Sequence, residues 1–66
     1  MINRIKQYRK LNNLTQEDLA NIVGTSRQTI NAIENDKYDP SLKLAAKISF
    51  ALDATIETIF KLNDLD

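Results

Sequence analysis

Cysteine and histidine are both missing from these 66 residues. Without cysteine there is no disulfide framework and no thiolate metal site. Without histidine the chain lacks the usual neutral-pH acid/base group and the commonest metal ligand. No metal and no cofactor are therefore expected. A catalytic site would have to rest on carboxylates, lysines and hydroxyls, in a chain too short to enclose a pocket of ordinary ligand size, so neither an enzyme nor a small-molecule ligand is expected. No apolar run approaches the roughly 20 residues that a membrane span requires. The start, MINRIKQYRK, is basic but lacks the apolar core of a secretory signal, and cytoplasmic residence with no membrane partner is the simplest inference. Neither sign of charge prevails: nine basic and nine acidic residues cancel. That balance weighs mildly against nucleic acid as a partner, because such binders are often clearly basic. The distribution is uneven, however, with Arg4, Lys6, Arg9 and Lys10 crowding the first ten residues.

What is present is helical patterning throughout, with no sustained period-two alternation. At this length one small domain, residues 1–66, is expected, marginal in stability unless helices pack well or the chain oligomerises. A first helix is expected from about Arg4 to Asn12, with Ile5 and Tyr8 inward and Asn13 as a left-handed terminator. Thr15 caps a second helix in a capping-box-like arrangement with Asp18. Leu19, Ala20 and Val23 form one stripe on it, and Gly24, the only glycine, sits where the chain leaves it. Ser26 is the N-cap of a third helix bearing Ile30 and Ile33 and ending near Asn35. A loop over Asp36-Lys37-Tyr38-Asp39-Pro40 follows, since Pro40 disfavours helix at the residue before it. Ser41 starts a fourth helix with Leu42, Leu44, Ala45, Ile48 and Leu52, and Thr55 caps a short fifth with Ile56, Ile59 and Phe60. The fold class is thus all-α: a compact five-helix bundle. The chain ends are open between fraying, extending their helices and pairing as short terminal strands.

The second and third helices, within QEDLANIVGTSRQTINAIEN (Gln16–Asn35), have the spacing of a helix-turn-helix. The third helix leaves Arg27, Gln28, Asn31, Ala32 and Asn35 outward. Arginine can bond guanine bidentately, and glutamine or asparagine can do so to adenine. Arg27, Gln28 and Asn31 are those residue types at the helix end that enters the major groove in such motifs, so they are the candidate base contacts. The bland alternative is a solvated helix face. Candidate DNA-backbone contacts are Gln16, Ser26, Thr29, Lys37, Tyr38 and Lys43. Gln16 opens the second helix, whose positive dipole end suits a phosphate, and could also brace Arg27. Arg9 and Glu34 are candidates for a structural ion pair between the first and third helices. Lys43 and Lys47, four apart, repel unless an acid lies near. Leu62 and Leu65, with Phe60, are candidates for a subunit interface.

These segments resemble the phage-repressor-type helix-turn-helix proteins, lambda-repressor-like or Cro-like. The likeness runs from about Ile5 to Phe60. It is carried by LTQEDLA (Leu14–Ala20), VGTSRQTINAIEN (Val23–Asn35), KYDPSL (Lys37–Leu42) and TIETIF (Thr55–Phe60). The resemblance implies a homodimeric regulator, a repressor more than an activator, that places helix three in the major groove of palindromic double-stranded operator DNA. It implies recognition positions at Ser26, Arg27, Gln28, Asn31 and Ala32, the helix-two glutamine at Gln16, and the Arg9–Glu34 pair. Two departures are small. Asp36 stands where the family usually has glycine, which asks for an Asp-tolerant or slightly strained turn, and Thr25 stands where an aliphatic is commoner. The competing reading is an antitoxin-like or anti-regulator module whose main partner is another protein.

Overall fold

The computed structural model describes residues 2–61. Among these the chain forms α1 (Ile5–Leu11), α2 (Gln16–Val23), α3 (Arg27–Glu34), α4 (Leu42–Ala51) and α5 (Ile56–Ile59). Each expected element is present, and α4 and α5 are shorter than their apolar runs, because Leu52 and Phe60 are C-caps.

The starts of α2, α3, α4 and α5 share one device. Thr15, Ser26, Ser41 and Thr55 are extended, and each side chain accepts a hydrogen bond from the backbone N–H three residues on. That contact satisfies an orphan donor and contributes about 1 kcal/mol per helix. α2 has the full capping box: the Thr15 N–H donates to the Asp18 carboxylate at 2.9 Å and the Asp18 N–H to the Thr15 hydroxyl at 2.9 Å. The backbone and side-chain bonds from Thr15, in that order, hold the exposed Asp18 carboxyl below its usual range. α1 differs, because its cap residue is Arg4 and the Ile5 N–H is taken by the Asn3 side chain at 3.1 Å.

The ends are equally uniform. Asn13, Gly24, Asp36 and Asp53 all have positive φ, between 56° and 79°. The next residue's N–H then turns back five residues, as in Leu14 to Arg9, Thr25 to Ala20, Lys37 to Ala32 and Ala54 to Ser49, at 2.9–3.0 Å. This is the six-to-one bond of the Schellman motif. Glycine is used only at Gly24, where a Cβ would meet nothing within 4 Å. Backbone conformation, not space, is the reason for a glycine there. At Asp36 the left-handed turn is made without glycine.

α2 packs against α3 and α4, and α4 packs against α5. Ile5, Leu19, Ile30, Ile33, Ile48, Leu52, Ile59 and Phe60 are fully buried where these faces meet. Truncating one of them, such as Leu19→Ala, costs about 2–5 kcal/mol, a large share of the 5–15 kcal/mol typical of a domain. The chain ends pair: Asn3 and Phe60 form an isolated antiparallel bridge. The Arg4 N–H donates to the Ile59 carbonyl at 2.7 Å and the Lys61 N–H to the Ile2 carbonyl at 3.0 Å. Of the three options for the termini, pairing is therefore the one seen within residues 2–61.

Two sequence expectations change, for Phe60 and Tyr8, and the structure settles which face of α4 Leu42 occupies. Phe60 is 1% exposed and belongs to the core, so its side chain is not offered to another subunit. Leu42 is 77% exposed, because α4 carries apolar residues on more than one face and the inner one runs through Ala45, Ile48 and Ser49. Tyr8 is only half-buried at the core's edge. Leu62 and Leu65 lie outside the described residues.

Candidate nucleic-acid interface

α3 follows α2 after the short turn at Gly24-Thr25-Ser26. Ile30 and Ile33 bury its inner side. Arg27, Gln28 and Asn31 are exposed on the outer side and, with Gln16 of α2, line a shallow hollow of about 290 Å³. The three expected base readers are thus brought together with the helix-two glutamine.

A chain of hydrogen bonds ties this hollow to the interior. The Arg9 Nε donates to Glu34 Oε2 at 2.8 Å and Nη2 to Oε1 at 3.3 Å, while Nη1 donates to the Leu14 carbonyl at 2.9 Å. The two side chains are 11% and 5% exposed, so this expected pair is a buried one. Glu34 Oε1 also accepts from Gln16 Nε2 at 3.2 Å, and Gln16 Oε1 accepts from Asn31 Nδ2 at 3.4 Å. Because Glu34 only accepts when ionised, it fixes which end of the Gln16 amide points inward. Gln16 then braces Asn31, not Arg27. Each amide keeps free valences: Gln16 has one N–H left, and Asn31 has one N–H and its Oδ1. One donor beside one acceptor is the pattern that adenine N7 and N6 require.

Ser26 and Thr29 are partly committed to each other. The Thr29 N–H donates to the Ser26 hydroxyl at 3.0 Å, and the two hydroxyls are 2.9 Å apart. Their mutual bond uses one hydroxyl proton, leaving one O–H between them for a phosphate oxygen. Lys37 and Tyr38 are exposed on the loop after α3, and Lys43 is exposed in the first turn of α4.

Two basic residues were not among the candidate DNA contacts read from the sequence. Lys47 shares a groove of about 250 Å³ with Lys43, Gly24, Thr25 and Ser41, so their i, i+4 spacing lines both up beside the turn into α3. Lys10, at the C-terminal end of α1, lines a wide open trough of about 680 Å³ with Thr15, Gln16, Asp18 and Arg27. This trough is a broad surface depression open to solvent. Gln16 and Arg27 belong to both depressions. Lys10 was legible only as part of a basic N-terminal run, since its neighbourhood is set by how α1 packs. Among the described residues there is no cluster of three or more metal-ligating acids, and no helix is long and apolar enough to cross a membrane.

The acidic residues are sorted by role, which bears on the neutral charge. Glu34 is neutralised by Arg9, and Asp18 is held in the capping box. Asp53 and Glu57 belong to the α4–α5 turn and α5, which line none of these depressions. Glu17, in the first turn of α2, does line the trough and opposes an anion there.

A capped second helix, a left-handed glycine turn and an outward polar third helix define a DNA-binding helix-turn-helix. Residues 5–59 match the helix-turn-helix family model, and the chain belongs to that family of transcriptional regulators. It is 61% identical over 64 residues to an uncharacterized HTH-type transcriptional regulator of Methanocaldococcus jannaschii, covering 97% of each chain. It is 35% identical over 57 residues to the HTH-type transcriptional regulator SinR of Bacillus subtilis, 85% of this chain but about half, 51%, of SinR. Its fold is similar to the biofilm master regulator SinR in a crystal structure with DNA (TM-score 0.77, 34% identity, 83% of this chain and 89% of that one). It is also similar to the restriction-modification controller protein C.AhdI from Aeromonas hydrophila (TM-score 0.80, 30% identity, 86% of each chain). These relatives are regulators and not enzymes, in keeping with the cysteine- and histidine-free composition.

Proposed function

We propose that the chain is a cytoplasmic, sequence-specific DNA-binding regulator that acts as a homodimer on a palindromic operator, with α3 in the major groove. The observation that carries this reading is the Arg9–Glu34–Gln16–Asn31 chain, which pre-orients polar side chains at the exposed start of α3. Side chains held before binding lose less freedom on binding. Arg27, Gln28 and Asn31 contact base edges. Gln16, Ser26, Thr29, Lys37, Tyr38 and Lys43 contact the phosphate backbone. Repression needs only that the bound dimer block the promoter, so it is the simplest mode for this interface.

Selection of bound sequences from random double-stranded DNA tests the reading. A two-fold-symmetric site should emerge, with half-site centres separated by about one helical turn, roughly 34–36 Å. Enrichment of no sequence over the starting pool contradicts it.

A further inference from the structure

Asn3 stands where three parts of the chain meet. Its backbone is bridged to Phe60, with the Arg4 N–H on the Ile59 carbonyl and the Lys61 N–H on the Ile2 carbonyl to either side. Its side-chain oxygen accepts from the Ile5 N–H at 3.1 Å, a local turn that starts α1. Its side-chain nitrogen donates to the Ile33 carbonyl at 2.8 Å, in the last turn of α3, and to the Asp36 carboxylate at 3.4 Å. An amide has an acceptor at one end and donors at the other, so this short side chain serves α1 and α3 at once.

We propose that Asn3 is a positioning residue for DNA recognition. It ties the far end of α3 to the paired chain ends and so holds the tilt of the base-reading end. The proposal rests on the DNA-binding reading and concerns a residue outside the contacts assigned there. Arg9 grips Glu34 from the body of α1, and Asn3 grips the neighbouring Ile33 carbonyl from the bridged termini. One grip leaves α3 free to pivot about it, and two grips set apart oppose the pivot. Arg27 precedes Ile33 by about 9 Å along the axis. A pivot of about 10–20° at Ile33 carries Arg27 roughly 2–3 Å, whereas a recognition constellation must be held within about 0.5 Å.

Helix polarity favours the tie, since the carbonyl end of α3 is the negative end of its dipole and the amide brings it a donor. The tie also gives Asp36 a use. Its φ of 58° is one that glycine adopts without strain, yet glycine would bring no carboxylate to the Asn3 amide.

Two substitutions separate the halves of the amide. Asn3→Asp and Asn3→Ser each keep an acceptor for the Ile5 N–H, and neither has an N–H to give Ile33. In the DNA-free protein both speed hydrogen exchange of the Lys37 amide, which closes the turn at Asp36, by about tenfold, the worth of one hydrogen bond. The Thr25 amide makes the same bond at the end of α2 and keeps its wild-type rate. On DNA both variants lower the ratio of affinity for a duplex that the wild type selects to affinity for random duplex about tenfold, the scale of one misaligned base contact. Partial unfolding or an added charge weakens both duplexes alike and leaves that ratio unchanged. Adding Asp36→Asn to Asn3→Asp restores a donor between positions 3 and 36, at a left-handed position that asparagine tolerates, and recovers most of the ratio. A wild-type ratio in either single variant, or no recovery in the double one, overturns the positioning role. So does a Lys37 amide that exchanges no faster than in the wild type, or that speeds up only as much as Thr25. If Lys37 alone is freed but the wild type selects no DNA, the tie stands and the DNA-binding reading fails.

Discussion

Asn31 shows how a neighbour limits what a side chain can read. Its amide has two donors and one acceptor oxygen, and one donor is spent on Gln16. The orientation descends from Glu34, which Arg9 holds from below. Glu34→Gln keeps the shape but strands the Arg9 guanidinium in a nearly buried place. A loss of about 3 kcal/mol in denaturant unfolding is expected, as for breaking a buried pair. A loss below about 0.5 kcal/mol would show that solvent screens the pair as it does on open surfaces. Ser49 presents the opposite case: it is buried in α4, and its hydroxyl has no hydrogen-bond partner. Ser49→Ala removes an unsatisfied group and adds helix propensity, so it should stabilise the fold by up to about 1 kcal/mol. Thermal unfolding checks the sign; a clear loss contradicts it. Nothing in the sequence marked Ser49 as inward, because a serine on α4 reads as surface.

At the scale of the element, the helix boundaries were the most legible feature. Thr15, Ser26, Ser41 and Thr55 were readable as caps because a short hydroxyl before an apolar run has one favoured job. Asn13 and Gly24 were readable as terminators for the same kind of reason. Asp53 was not read as one, and it adopts a φ of 56° that glycine tolerates better. Asp53→Gly should therefore raise stability by about 0.5–1 kcal/mol, less the extra freedom glycine brings to the unfolded chain. A decrease in the unfolding midpoint contradicts this. The capping box of α2 should also respond to acid. Because the folded Asp18 carboxyl sits below its usual range, its stabilisation is complete above the unfolded value and is lost as pH falls through the folded one. The stability gap between wild type and Asp18→Ala should be constant well above the carboxyl's ordinary value of 3.8 and narrow as the pH falls below it. A gap independent of pH contradicts it. Harder to read was which stripe of α4 faces inward. Apolar residues surround that helix, and periodicity alone cannot choose between the Ala45–Ile48 and the Leu42–Phe50 faces.

For the whole molecule, the zero net charge first looked at odds with a DNA partner, and the structure shows why a sum is a poor guide. Two acids, Glu34 and Asp18, are committed to holding the fold together, while Asp36 and Asp39 are exposed in the same loop as Lys37. Lys37, Lys43 and Lys47 are exposed in the loop after α3 and along α4. Tertiary packing decides this sorting, which is why composition could not show it. Phe60 was misplaced for a similar reason: an apolar residue near the chain end looks spare until the two termini pair and bury it.

The central claim is that the outer face of α3 reads bases while the flanking loop holds the backbone. Comparing wild type, Gln28→Ala and Lys37→Ala on selected and random DNA across a salt series tests it most directly. For Gln28→Ala the expected result is a loss of about 1–3 kcal/mol of discrimination at one base position in each half-site, with binding to random DNA unchanged. For Lys37→Ala it is equal weakening on every sequence, with the salt slope reduced by about one per bound protomer. If both variants weaken selected and random DNA alike, the division of labour between α3 and the loop is wrong.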